Sequence, residues 1–354
     1  MIGILYYIKS NEYLTYHPLR GFYVVENYDN LDKNIIWISN LKESSYSHIK
    51  NEDFFNIKFK EIIYYYNLNH LEAPEQLKEI SKFFNMIIDI FKEEYSFFNF
   101  KVEILKDIND FSEILFKSKF NLPKIADISF IKSSFNKEVE ISDVNKIRFF
   151  ISYFQTFEFV KNIFDIYIPY GDFEIINVDN FSKHKNPFVI MDLIPKEKKF
   201  LIKCKNDNQQ IINKFFPEKS DNAWFSDIEL KWLHNKCSLT ATEILIFKDK
   251  IRLRELMRTR LKTQYFNFPY SVFTFNLIKS IKNNNIEIIN LWIDSYEKIF
   301  YLDKINNLIE NDIDVAYLNG SKIIIGVEEV SAIKTLEQNA LMYPIKLISY
   351  IINK

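Results

Sequence analysis

The sequence predicts an α+β protein in which a smaller mixed α/β unit precedes a larger domain of antiparallel strands and helices. Three observations predict it. Residues 21–28 (GFYVVENY) and 34–41 (NIIWISNL) are strand-forming runs on either side of a turn rich in Asn and Asp, and an amphipathic stretch follows at 73–95. Between 167 and 249, short apolar runs alternate with turn residues. At 315–325 (VAYLNGSKIII), Asn319-Gly320 stands between two apolar runs, the strongest short-range signal for a β-hairpin.

In the first unit, Pro74 suits the first turn of the helix at 73–95, and Glu75 and Glu79 favour its N-terminal end. Leu77, Ile80, Phe84, Ile87, Ile88 and Phe91 form one apolar stripe along it. A strand is expected at 100–105 and a helix at 107–119, and NLPK at 121–124 marks a boundary. The expected domains are therefore 1–122 and 123–354.

In the second domain, KEVEIS (137–142) reads as a strand, and the stretch 144–164 is ambiguous between helix and strand. IPYG (168–171) reads as a turn leading into a strand. NPFVIMDLIP (186–195) and KKFLIKCK (198–205) read as a hairpin across PKEK. Ser226 and Glu229 have the spacing of a capping box, a serine that caps a helix and a glutamate three residues on that returns the hydrogen bond. TATEILIFKD (240–249) alternates like a strand, and helices are expected at 250–266, 286–311 and 331–343, the last stopped at Pro344.

Composition excludes several function classes. The chain has 354 residues, 47% of them hydrophobic and 17% aromatic, which suits a sizeable core and argues against disorder. Its formal net charge of −1 means that any affinity for nucleic acid has to come from a local patch. The five glycines, Gly3, Gly21, Gly171, Gly320 and Gly326, nowhere have the close spacing of a Walker loop or a dinucleotide fingerprint. Cys204 and Cys237 are isolated, and the five histidines form no HxxxH or HExxH pair, so no zinc site is expected. The N-terminus lacks the features of a secretory signal, and no long uncharged apolar window is present. A cytoplasmic protein that is neither secreted nor membrane-spanning, and that needs no cofactor, is expected.

The strongest local charge feature is IRLRELMRTRLK (251–262). On a helix, Arg254, Arg258 and Lys262 share one face, and Arg252 and Arg260 widen it. Only Glu255 opposes them, and Tyr265 and Phe266 follow at once. Cations beside aromatics suit a phosphate backbone with stacked bases, and a solvated helix face with salt bridges to acidic neighbours accounts for the same pattern.

Four stretches, taken in order, resemble the palm region of protein-primed family B DNA polymerases, the kind carried by phages and linear mobile elements. FFISYFQT (149–156) is similar to a motif that supplies a metal-binding aspartate, with Ser152 and Phe154 at its Ser and Tyr positions and IPYG after it. Phe149 stands where that aspartate would be. WFSDIELKWL (224–233) followed by EILIFKDK resembles the next segment. RTRLKTQYF (258–266) has the shape of the nucleotide-binding helix motif, with Arg258 at its Lys position and Tyr265 at its Tyr position. LNGS (318–321) stands at the Asp-Thr-Asp-Ser hairpin, with Ser321 kept and Leu318 and Gly320 at the aspartates.

The resemblance implies a palm-like antiparallel sheet with helices over roughly residues 130–330. It also implies a site without chemistry, because Phe149, Leu318 and Gly320 cannot hold the cations that two-metal phosphoryl transfer requires. What it implies is a catalytically inactive, polymerase-like protein of a phage, plasmid or other mobile element. Such a protein would bind single-stranded or primer–template nucleic acid through Arg252, Arg254, Arg258, Arg260, Lys262 and Tyr265, with replication or virion proteins as further partners. The N-terminal unit lies where the family carries its proofreading exonuclease; without an Asp-x-Glu motif it is a degenerate copy or unrelated. Two alternatives stay open. One is a structural or assembly protein working through protein contacts. The other is an active metal-dependent enzyme whose carboxylates lie elsewhere, with Asp165, Asp172, Glu174, Asp192 and Asp314 as the nearest.

Overall fold

The structure, a computed structural model, describes residues 1–8, 12–41, 46–94, 139–140, 149–153, 159, 162–206, 211–212, 215–216, 219, 222–256, 268–283, 287–310, 315–319, 322–327 and 344–348. The chain divides into two compact units, residues 1–119 with 259–284, and residues 120–258 with 285–354. The strand and helix expected at 100–105 and 107–119, the boundary at 121–124 and the helix expected at 331–343 lie outside the described residues. Among the described residues no helix is long and apolar enough to cross a membrane.

The first unit is built on a mixed five-stranded sheet. Its strands are β1 (Ile2–Tyr7), β2 (Tyr13–His17), β3 (Gly21–Val25), β4 (Ile36–Ser39) and β5 (Ile49–Asn51), in the order β3-β2-β1-β4-β5. β1, β2 and β3 pair antiparallel, and β4 and β5 continue the sheet parallel to β1. The runs at 21–28 and 34–41 are thus both strands, separated in the sheet by β2 and β1 rather than paired with one another. Two helices follow, α1 (Phe59–Tyr65) and α2 (Ala73–Glu94), the second where the helix at 73–95 is expected. The whole expected stripe of α2, from Leu77 to Phe91, is buried. Ser81 and Asn85 interrupt it because β1 needs partners where its ladder begins: Asn85 accepts from the Ile2 N–H at 2.9 Å, and Ser81 donates to the Ile2 carbonyl at 2.8 Å.

The second unit has two antiparallel sheets. One comprises β8 (Tyr167–Asn177), β9 (Lys199–Asn206), β10 (Asn222–Ser226) and β11 (Leu239–Arg252), in the order β10-β9-β11-β8. Short helices α3 (Val178–Phe181), α4 (Pro187–Leu193), α5 (Asp227–Leu233) and α6 (Leu253–Leu256) lie between or after these strands. The other sheet has the order β14-β7-β13-β12-β6, from β6 (Val139–Glu140), β7 (Phe149–Tyr153), β12 (Val315–Asn319), β13 (Lys322–Val327) and β14 (Pro344–Ile348). Helix α7 (Phe268–Asn283) belongs to the first unit and α8 (Glu287–Glu310) to the second. The predicted α+β class, with antiparallel sheets and helices in the second half after a mixed α/β part, is the observed one.

Three local expectations are corrected. NPFVIMDLIP is a helix, not a strand: Pro187 takes a first-turn position, and Asn186 caps it by accepting from the Phe188 N–H at 2.9 Å. IPYG lies inside the long strand β8. Arg252 ends strand β11, and the helix after it begins at Leu253, not at Lys250.

The capping box at Ser226 forms as expected, and it sits within a buried ionic knot. The Ser226 hydroxyl accepts from the Glu229 N–H at 3.2 Å, and Glu229 accepts from the Ser226 N–H at 2.8 Å. Lys219 lies 3.5 Å from the same carboxylate. Two residues earlier, Asp227 pairs with Lys199 at 2.7 Å and accepts from the Trp292 indole N–H at 2.9 Å. Replacing Asp227 by Asn leaves the Lys199 ammonium in a nearly closed site without its counter-charge. The expected cost is about 3 kcal/mol or more, against about 1 kcal/mol for losing the cap in Ser226→Ala. Urea unfolding of the two variants measures both, and equal midpoints would show that the pair does not hold this unit together.

Candidate nucleic-acid interface

The end of the β8–β11 ladder positions the candidate site. Arg252 stands directly across from Tyr167, and Lys250 across from Pro169. Residues two apart on a strand face the same way, so Lys250, Arg252 and Tyr167 share one face, while Ile251 and the buried Ile168 share the other.

A bulge makes this arrangement possible. Phe247 and Ile251 are four apart on β11, yet their partners Phe173 and Ile168 are five apart on β8. The extra residue flips the alternation of β8 and brings Tyr167 to the outer face. Gly171, with φ +75°, lies within this interval, in a conformation that a side chain disfavours.

On the outer face, cations and an aromatic ring are interleaved. The Lys250 ammonium lies 4.6 Å from the centre of the Tyr167 ring, and the Arg252 guanidinium 5.2 Å from it. Arg252 Nε donates to the Tyr167 hydroxyl oxygen at 2.9 Å, and this hydrogen bond raises the already high pKa of the guanidinium. Lys250 also donates to the Lys196 carbonyl at 2.9 Å, and Lys198 to the Lys248 carbonyl, so the 195–198 turn lies alongside. Lys248 is the partly neutralised member, 3.6 Å from Asp172.

The expected binding residues divide accordingly. Arg252 is exposed on this face. Arg254, in the first turn of α6, is spent in a 2.7 Å ion pair with Asp165. Arg258, Arg260, Lys262 and Tyr265 lie outside the described residues. Lys250 and Tyr167 complete this face; Lys250 and Arg252 on either side of Ile251, directly after the strand-like run 240–249, are the sequence signal that the strand continues to Arg252, while nothing local marks Tyr167.

The motif positions are described by backbone only. The Asn-Gly hairpin forms, with Asn319 paired to Lys322, while Gly320 and Ser321 lie outside the described residues. The strand carrying Phe149 and Ser152 does adjoin the hairpin. Motifs that share one pair of cations would have to bring Phe149 beside the turn, on the neighbouring strand, and the register does not do so. Phe149 pairs with Val327, at the far end of β13, and Tyr153 is the residue level with Ile323 beside the turn. The residue nearest the turn on that strand is therefore also not a carboxylate.

Of the spare carboxylates, Asp165 and Asp172 are paired with Arg254 and Lys248, and Asp314 lies outside the described residues. Asp192 lines a cleft of about 490 Å³ between α4 and the 234–238 turn, together with Phe188, His234, Lys236 and Cys237. There the Lys236 ammonium rests 3.6 Å from the centre of the Trp232 ring; burial pushes its pKa down and that of the Cys237 thiol up. Among the described residues no three His, Cys, Asp or Glu side chains are grouped to hold a metal ion.

No protein-family model matches the chain, and no curated protein sequence matches it. Solved structures do. Phi29 DNA polymerase complexed with primer-template DNA (post-translocation binary complex) aligns with a TM-score of 0.43 and 9% identity, over 81% of this chain and 62% of that one. Its ternary complex with primer-template DNA and incoming nucleotides aligns at TM-score 0.41 and 8% identity, over 95% of this chain and 82% of that one. Its complex with single-stranded DNA aligns at 0.40 and 10%. The chain spans about three-fifths of the polymerase in the first of these alignments, 62%. The relation is a distant structural resemblance.

The bulge yields a prediction. Gly171→Ala puts a side chain at φ +75°, with its Cβ 3.4 Å from an Asp249 carboxylate oxygen. A loss of about 1–2 kcal/mol is expected from the left-handed backbone alone. A thermal melt measures it, and an unchanged midpoint would mean that the bulge is not tied to a glycine here.

Proposed function

We propose that the protein binds nucleic acid through the outer face of the β8–β11 ladder and does not polymerise. In this reading it is a non-catalytic, polymerase-like DNA holder of a phage, plasmid or other mobile element, acting on single-stranded or primed strands. The observation that carries the binding is the Lys250–Tyr167–Arg252 face, with Lys196, Lys198 and Lys248 beside it. Cations at the end of a strand attract a phosphate backbone even in a chain of net charge −1, because charges more than about 10 Å away are largely screened and only the local ones act on it. The run Arg258, Arg260, Lys262 and Tyr265 extends the same charge in sequence. What supports a lack of polymerisation is side-chain chemistry: Phe149, Tyr153, Leu318 and Gly320 offer no carboxylate for two-metal transfer.

A second reading has an observation of its own. On the first unit's sheet, Tyr6, Leu14 and Val24 form one cross-strand row, and Phe22 stands beside it on the edge strand β3. Val24 is 52% exposed and Phe22 36%, apolar area that suits a protein interface in an assembly role.

Fluorescence anisotropy with single-stranded, duplex and primer–template DNA, over a salt series with and without magnesium, separates the two. The proposal expects micromolar binding near physiological salt, with log K falling linearly in log salt by about 0.7 per phosphate contacted on a single strand. It expects no effect of magnesium and no nucleotide incorporation. Absence of binding at low salt would overturn it in favour of the assembly role; magnesium-dependent incorporation would restore an active enzyme.

A further inference from the structure

We infer that Lys250 and Arg252 are a preset clamp for two neighbouring phosphates of a phosphodiester backbone, and that Tyr167 is the positioning residue that presets it. This deepens the nucleic-acid reading and rests on it. It assigns the contact to a strand end rather than to the helix that follows.

Three features lead there. The first is spacing. Lys250 and Arg252 project from the same side of β11, about 6.7 Å apart along the strand, which matches the step from one phosphate to the next along an extended nucleic-acid strand. The second is orientation. A free arginine on a strand end samples many rotamers, and ordering it on a ligand costs side-chain entropy. Here Nε is already held by the Tyr167 oxygen at 2.9 Å and the guanidinium lies over the ring, while the two terminal nitrogens make no hydrogen bond among the described residues. Those two nitrogens form the fork that takes a phosphate with two parallel hydrogen bonds. The third is the charge balance of the neighbourhood. Arg254, two residues on, is spent in its ion pair with Asp165, and Lys248 faces Asp172, so Lys250 and Arg252 are the strand's cations without a direct ion pair among the described residues, although Glu255 and Asp165 lie near enough to act on Arg252 through space.

The clamp touches no base edge, so its contribution is independent of sequence. The ring faces of Tyr167 hold cations, so its part is orientation, not base stacking.

The test uses the full chain and a fluorescein-labelled oligo(dT), titrated across a potassium chloride series, with Lys250→Ala/Arg252→Ala, Tyr167→Phe and Tyr167→Leu beside the unaltered protein. Losing two phosphate contacts on a single strand lowers the salt slope by about 1.4, and that is the result expected of the double variant. Tyr167→Phe keeps the ring but removes the oxygen that holds Nε; it is expected to weaken binding several-fold with the slope unchanged, because both cations remain. Tyr167→Leu loses ring and oxygen and is expected to weaken binding further. A merely structural tyrosine would shift the melting temperature and leave the affinity of the folded protein alone. Unchanged slope and affinity in the double variant, while the unaltered protein still binds, would overturn the clamp and leave the DNA-binding reading in place. No binding by the unaltered protein would overturn both.

Discussion

Two carboxylates at the start of one short helix hold the second unit in its arrangement. Asp227 and Glu229 are both buried in the first turn of α5, where the helix dipole favours negative charge, and each has a cation of its own. Through Lys199, Asp227 ties the helix to β9; through the Trp292 indole it ties it to α8. Trp292 in turn meets Phe247 of β11 edge-on at 5.7 Å. Charges buried this deeply tolerate little displacement, since each loses its partner if the helix moves. The strand that bears the cationic face is thus held, three contacts away, by an ion pair far from solvent.

Beyond Phe247 the same strand leaves the core and its alternation turns outward. The glycine bulge in β8 is the second constraint, for without it Tyr167 would point inward and Arg252 would lack its partner. A buried knot and a single backbone irregularity together fix where a few surface cations stand. Net charge, nearly zero, carries none of this information.

Much of the scaffold was legible because its signals are local. The helix at 73–94 shows its stripe over about four turns, and Ser226 with Glu229 announces the cap of α5. The errors came where local patterns are degenerate. PFVIMDL is too short and too apolar for its period to separate helix from strand, and Pro187 with Asn186 was the better guide. Arg254 onward has helical spacing, which draws Lys250 and Arg252 into a helix by pattern, while the strand before them continues to Arg252. Tyr167 was invisible as a site residue, since its role depends on a cross-strand partner 85 positions away. The hairpin at 315–325 was legible from Asn-Gly alone, but its register against β7 was not: that depends on pairing between strands more than 160 residues apart.

Hydrogen–deuterium exchange of the full chain, with and without saturating oligo(dT) at low salt, tests the central claim most directly. The account predicts added protection at 167–170 and 248–254, lost again when salt is raised. Protection confined to other segments, or none under conditions where the DNA is bound, would contradict it.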